Sequence, residues 1–364
     1  MKCRPLRLAI GAARVYSMAE SVLFAERFAA VNEKDLENLL ARFPGRTIGV
    51  VGDFCVDAYW ELRPELGERS IETGIVTTPV GAARYSPGGA GNLAANLRGL
   101  GAGRIFCFGA AGRDPFGDWL CRALFPGDCL LRIEREEYQT PVYCKPLLSG
   151  REQSRFDLDG VEVADGEAEE VLRRLEKRLP ELDALVINQQ LRRGLHSEFF
   201  RRGLAALLKR APGRLRVVFD GRDHLDAYPG AISKIDAAAA SRLAFGRPGA
   251  PPEESAAAVA RRNGAEAVVT DGENGCFVCE AGGVKHVPAI ALPGPVDTVG
   301  AGDSFGAGFA LALAAGATLE TAAELGSLCA AVTVHKIAQT GVPSPEELSE
   351  VFSRRHEIGG GMRG

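Results

Sequence analysis

Short apolar runs that end in glycine or polar residues recur along the chain. They are TIGVVGD from Thr47, RIFCFGAAG from Arg104, DALVINQQ from Asp183, RVVFDGRD from Arg216 and EAVVTDGENG from Glu266. A continuous apolar run without alternation is the pattern of a parallel strand covered on both faces. Between these runs lie segments of helical period, such as Glu167 to Leu179 and Ser197 to Arg210. Strands alternating with helices predict a doubly wound, mostly parallel α/β sheet flanked by helices, with ligands at the carboxyl ends of its strands. Two stretches break the rhythm. Residues 59–86 and 131–157 alternate with turns and predict a small β lid over the edge of the sheet.

Near the start, apolar positions from Leu23 to Phe43 fall close to helical spacing until Pro44-Gly45 stops them. The expected organisation is a partly helical extension over 1–45, a single α/β domain over 46–350 carrying the lid, and a tail over 351–364. The first 19 residues carry Lys2, Arg4, Arg7 and Arg14 and no acid, which reads as a transit-like leader, an upstream start before Met18 or a disordered tail, the last two being favoured.

Composition narrows the function classes. The chain of 364 residues has a net charge of -4, so neither a nucleic-acid partner nor an anionic membrane has whole-chain electrostatic support. No apolar stretch approaches the roughly 20 residues of a membrane span. Nine cysteines, odd in number and scattered, with Cys55, Cys107, Cys144 and Cys329 inside apolar runs, suit a reducing, cytoplasmic setting. Cys276 and Cys279 form a lone C-x-x-C, but three-residue spacing in a strand sends them to opposite faces. The five histidines lack metal-ligand spacing and read as surface or capping residues.

The chemistry concentrates in PVDTVGAGDSFGAGFALALAAG, residues 295–316. Gly300-Ala301-Gly302 leads directly into a helix with Phe305, Phe309 and Leu313 on its core face. Main-chain amides converging at a helix N-terminus make a cradle for phosphate oxygens. Asp303 sits in the first turn, where it reads either as a helix-start acid favoured by the dipole or as a base beside the cradle. The second reading is what phosphoryl transfer to an alcohol needs. There is no Gly-Lys dipeptide, so no Walker A loop, and Phe305 stands where a Rossmann fingerprint from Gly300 requires glycine. A second stretch, SPGGAGNLAANLRGLGAGRIFCFG from Ser86, places Gly88, Gly89 and Gly91 before a helix with Leu93, Leu97 and Leu100 inward.

Together PGGAGNLAANLRGLGA and DTVGAGDSFGAGFALAL resemble the two signatures of the PfkB, ribokinase-like carbohydrate kinases, with GDFCVD and VVTDGENG in the expected order. The resemblance covers residues 46–350, and GDFCVDAYW with TPVYCKPLLSGREQSRFD are most similar to a heptose 7-phosphate kinase module. It implies a ribokinase-like fold and transfer of the γ-phosphate of ATP to a sugar or sugar-phosphate hydroxyl. Asp303 matches the general base, and Gly300, Ala301 and Gly302 match the anion hole. Asp57, Gly88, Gly89 and Asn92 match the acceptor side. Lys145 and Arg155 are candidates for the sugar or a phosphate it already carries, with solvated strand charges as the competing reading. Thr270, Gly272, Gly275, Asp297, Thr298 and Ser327 match the nucleotide side.

The resemblance implies Mg2+, leaves assistance by a monovalent cation open, and leaves open a homodimer through the β lid. The departures are Ala237 and Ala240 at the N-x-x-E positions that organise magnesium in the family, and Gln189 where the heptose kinase pattern has an aspartate. They leave the metal's residues unknown. They also keep alive a catalytically weakened sugar or nucleotide sensor on the same fold, beside the variant of a nucleoside kinase.

Overall fold

A computed structural model describes residues 31–124, 130–158, 162–224, 226–290, 292–337 and 341–360. Helix α1 (Glu33–Leu40) leads to strand β1 (Thr47–Gly52), followed by β2 (Phe54–Leu62), β3 (Val80–Gly89) and α2 (Ala90–Gly99). Next come β4 (Arg104–Phe108), β5 (Ala110–Gly112), α3 (Pro115–Leu124) and β6 (Leu131–Ile133). Strands β7 (Val142–Leu148), β8 (Arg151–Glu152) and β9 (Phe156–Leu158) precede α4 (Asp165–Arg178), β10 (Ala184–Gln189) and α5 (Glu198–Leu208). The chain continues through β11 (Arg216–Gly221), β12 (Ile232–Asp236), α6 (Ala237–Phe245), α7 (Pro252–Asn263), β13 (Ala267–Thr270), β14 (Cys276–Glu280) and β15 (Gly283–Val287). Helices α8 (Ala301–Ala314), α9 (Leu319–Val334) and α10 (Pro345–Gly360) complete it.

The central sheet has eight strands in the order β15-β14-β13-β12-β11-β10-β1-β4, parallel from β4 to β13 with two antiparallel strands at the far edge. Its strands read as unbroken apolar runs because both faces are covered. Val50 and Val186 point into the cluster with α2, α8 and α9, whereas Val51, Leu185 and Ile187 point into the one with α4 and α5. Cys276 and Cys279 likewise fall in different clusters, as their spacing requires. No helix among the described residues is long and apolar enough to cross a membrane.

The smaller sheet is built from β3, β2 and β7, with β8 and β9 both pairing the edge of β7 away from β2. Its extent corrects the expected lid. Leu131–Ile133 pairs with Ala110–Gly112 in a separate two-stranded ladder, so the second lid segment begins at Val142. The expected boundaries at 45 and 350 do not coincide with breaks in packing either. Leu36, Leu39 and Phe43 are buried in the main core, and α10 runs through 351 with Phe352 buried against that core. An amphipathic helix is held where its apolar stripe finds cover, and both terminal helices find it here. The part of the expected first helix before Val31, and the leader reading, lie outside the described residues.

Candidate active site

Helices α2 and α8 pack on one face of the sheet, with their N-termini at the carboxyl ends of the strands. Gly300 caps α8 with φ of 81°, a left-handed conformation that glycine adopts without strain. Ser304 N–H closes the first turn on the Gly300 carbonyl and Ala301 N–H turns back to Thr298. The amides of Gly302 and Asp303 are left as first-turn donors, whereas Ala301, one of the three expected cradle residues, spends its N–H on Thr298. Gly89 caps α2 with φ of 56°, and a Cβ there would lie 2.5 Å from the Asp53 carbonyl. Close approach of two backbones therefore sets this glycine.

Asp303 is half-buried, and its Oδ2 accepts a 2.7 Å hydrogen bond from Asn92 Nδ2. Asn96 in turn donates to the carbonyl and the side-chain oxygen of Asn92, at 2.8 and 3.1 Å. Asn92 thus holds the carboxylate from the facing helix. Desolvation, then the nearby Asp220 carboxylate, pushes the Asp303 carboxyl up to about 6, against the pull of Asn92 and Lys234.

On the lid, Asp57, Ser86 and Tyr143 are in register across β2, β3 and β7, and Tyr59, Arg84 and Lys145 form the next row of the same face. Lys145 is buried. Its Nζ lies 3.0 Å from Asp57 Oδ1 and 3.3 Å from Tyr59 Oη, over the Tyr59 ring. Burial works against its charge, yet Asp57 and Tyr59 hold the ammonium above the ordinary lysine range. The solvated-charge reading is therefore wrong for Lys145. Arg155 is committed to Asp157 by two bonds of 2.6 and 2.7 Å and lies over the Tyr143 ring, a partly exposed pair at the lid's edge.

Sequence reasoning did not find Ser86 as a ligand. Its buried hydroxyl, cross-strand from Asp57, has no hydrogen-bond partner among the described residues. Ser86→Ala should leave the urea midpoint unchanged, because an unsatisfied hydroxyl adds no stability, and should raise the KM for the sugar roughly threefold to tenfold.

The nucleotide-side candidates lie along β13, its following turn and α9. Thr270 ends β13, Gly272 and Gly275 shape the turn into β14 with positive φ, and Ser327 bonds the Cys276 thiol. Asp297 Oδ1 accepts from Val299 N–H at 3.0 Å, shaping the loop before the cradle, and Thr298 is exposed within it. Gln189, expected to be able to meet a phosphate, is instead spent on the backbone. It accepts from the Arg222 and Asp223 amides and donates to the Leu191 carbonyl. His196, expected at the surface, is buried between Tyr228 Oη and the Asn188 carbonyl, and desolvation lowers its pKa, favouring the neutral ring.

Two further residues were not singled out. Asp220 is the penultimate residue of β11 and Lys234 lies on β12. They are register partners, joined by a 2.8 Å ion pair beside the cradle. Their signal was a lone lysine in the strand ISKID. The residues present do not fit a protein-held divalent ion. Ala237 and Ala240 offer only methyl groups, Asp236 caps the Ala239 amide, and Asp220 already faces an ammonium. Among the described residues no group of three or more His, Cys, Asp or Glu is placed to hold a metal.

The sequence profile described as pfkB family carbohydrate kinase matches residues 150–346. The chain belongs to the pfkB carbohydrate kinase family. This carbohydrate kinase is accordingly a phosphotransferase acting on a sugar hydroxyl. The bifunctional protein HldE of Azorhizobium caulinodans is 30% identical over 325 residues, which is 87% of this chain and 66% of that relative. HldE of Caulobacter vibrioides is 28% identical over 336 residues, 89% of this chain and 67% of its own. The kinase therefore spans about two thirds of these relatives' length.

Among solved structures, Arabidopsis thaliana ribokinase complexed with ribose and ATP aligns with a TM-score of 0.63 at 21% identity, covering 84% of this chain and 98% of that one. Escherichia coli phosphofructokinase-2 in complex with fructose-6-phosphate aligns at 0.65 and 20%, covering 85% and 99%. These likenesses show the ribokinase-like fold.

Proposed function

We propose that this kinase moves the γ-phosphate of ATP onto a hydroxyl of a sugar phosphate of the heptose 7-phosphate class, with Asp303 as general base. One observation carries the reading: the Asp303 carboxyl, held by Asn92, stands in the same helix turn as the unspent amides of Gly302 and Asp303. The acceptor O–H gives its proton to the Asp303 carboxylate, and its oxygen forms a bond to the γ-phosphorus. The bond from that phosphorus to the bridging oxygen breaks, and ADP leaves with the electron pair. The cradle amides stabilise the charge on the transferred group, and Asp57 with Ser86 holds the sugar's other hydroxyls. The similarity to the HldE proteins supports the heptose class. Any magnesium or monovalent cation would come with the triphosphate. A homodimer through the lid sheet and a reducing cytoplasmic setting complete the proposal.

The test is ADP release against a panel of sugars, sugar phosphates and nucleosides. Heptose 7-phosphate should give the highest kcat/KM, and tight sugar binding without turnover would support a sensor instead. The pH profile of kcat/KM should show an acid limb near 6, because the base must be ionised and its carboxyl titrates at about 6. Below that pH the rate should fall about tenfold per unit. An acid limb that persists unchanged in Asp303→Asn would remove Asp303 as the base. The raised pKa also means that this group's contribution to stability is present at low pH and is lost as the pH climbs through about 6.

A further inference from the structure

Lys234 is buried on β12, between Ser233 and Ile235, and its ammonium lies beside the cradle. A Cβ placed on Gly302 would lie 3.4 Å from its Nζ, so the ammonium stands next to the first turn of α8. Among the described residues its ammonium bonds Asp220 Oδ2, at 2.8 Å. An ammonium has three donors, and a buried Lys–Asp pair costs desolvation that is rarely repaid by the pair alone. Asp220 is itself against the helix, its Oδ2 3.6 Å from where a Gly306 Cβ would stand. The pair therefore abuts α8 at both Gly302 and Gly306.

We propose that Lys234 is a phosphate-contacting residue: its ammonium, steered by Asp220, binds an oxygen of the nucleotide's terminal phosphate at the Gly302 amide. The protein thereby supplies as a fixed cation the charge that its acids are not arranged to hold as a metal ion. A divalent ion bound to Asp220 would face that ammonium at contact distance, whereas an incoming phosphate finds the ammonium's remaining donors. The register of β11 and β12 holds Asp220 and Lys234 side by side, so the cation is in place before the nucleotide arrives. The inference rests on the ATP-dependent reading above.

The experiment is calorimetric binding of ADP and of the non-hydrolysable ATP analogue adenylyl imidodiphosphate, both in EDTA. Wild-type protein should bind the analogue more tightly than ADP. Lys234→Met should weaken the analogue about tenfold or more, as expected for one charge-assisted hydrogen bond, and leave ADP within about twofold. Equal affinity of wild type and variant for the analogue overturns the proposal. So does an equal loss for both nucleotides, and so does a wild type that does not distinguish them. Lys234→Met leaves Asp220 unpaired; if it fails to fold, Lys234→Met with Asp220→Leu removes both charges and is read in the same way. Sugar-dependent ADP release by wild type decides the kinase reading separately. A chain that releases no ADP but binds the analogue through Lys234 refutes that reading and keeps this one.

Discussion

Asp303→Asn should lower kcat by ~10²- to 10⁴-fold, the range contributed by a positioned general base, while the Kd for sugar and nucleotide stays within a few-fold. The amide is nearly isosteric with the carboxyl and its oxygen can still accept from Asn92, so the turn and the cradle amides should keep their places. What is lost is the capacity to take a proton. The acid limb near pH 6 should vanish with it, because no other group would titrate in that role. Steady-state kinetics with calorimetric binding checks both parts, and a variant with full turnover would remove the mechanism.

Lys145→Met should cost roughly 3 to 5 kcal/mol of stability, seen as a lower urea midpoint, because it strands the Asp57 carboxylate inside the lid without its cation. The pair is well enclosed, with only 10% and 11% of the two side chains exposed, so solvent screening does little to reduce that figure. Lys145→Met with Asp57→Leu should recover most of the lost stability, since replacing both ions by apolar groups removes the buried charge altogether. It should not recover turnover, because the sugar loses the carboxylate that would bind its hydroxyls. A double variant that is stable and fully active would show that this ion pair serves the lid's structure alone.

The cradle was legible in the sequence because its determinants are local. A left-handed cap needs glycine at position 300, the helix behind it needs Phe305 and Phe309 at one face, and an acid in its first turn sits at the dipole's positive end. The alternation of buried strands and helices was legible for a similar reason, since strands covered on both faces show apolar residues at every position. Asn92 was found as a member of the glycine-rich stretch, but its bond to a carboxylate 211 positions away was not visible there.

The misread residues are those whose meaning depends on a neighbour distant in sequence. Lys145 looks like a solvated strand charge until β7 is laid parallel to β2 and its ammonium meets Asp57. Lys234 acquires a role only through the register that sets it opposite Asp220, and His196 through the Tyr228 hydroxyl that bonds it in the core. The amino-acid order by itself determined the layered α/β class, the two glycine-capped helices and the acid in the cradle, because propensity, capping and periodicity act within a few residues. The tertiary structure alone decided which charges became buried pairs, because strand register and helix packing choose each charge's neighbours, and a charge's neighbours determine whether it is solvated, paired or free to bind a phosphate.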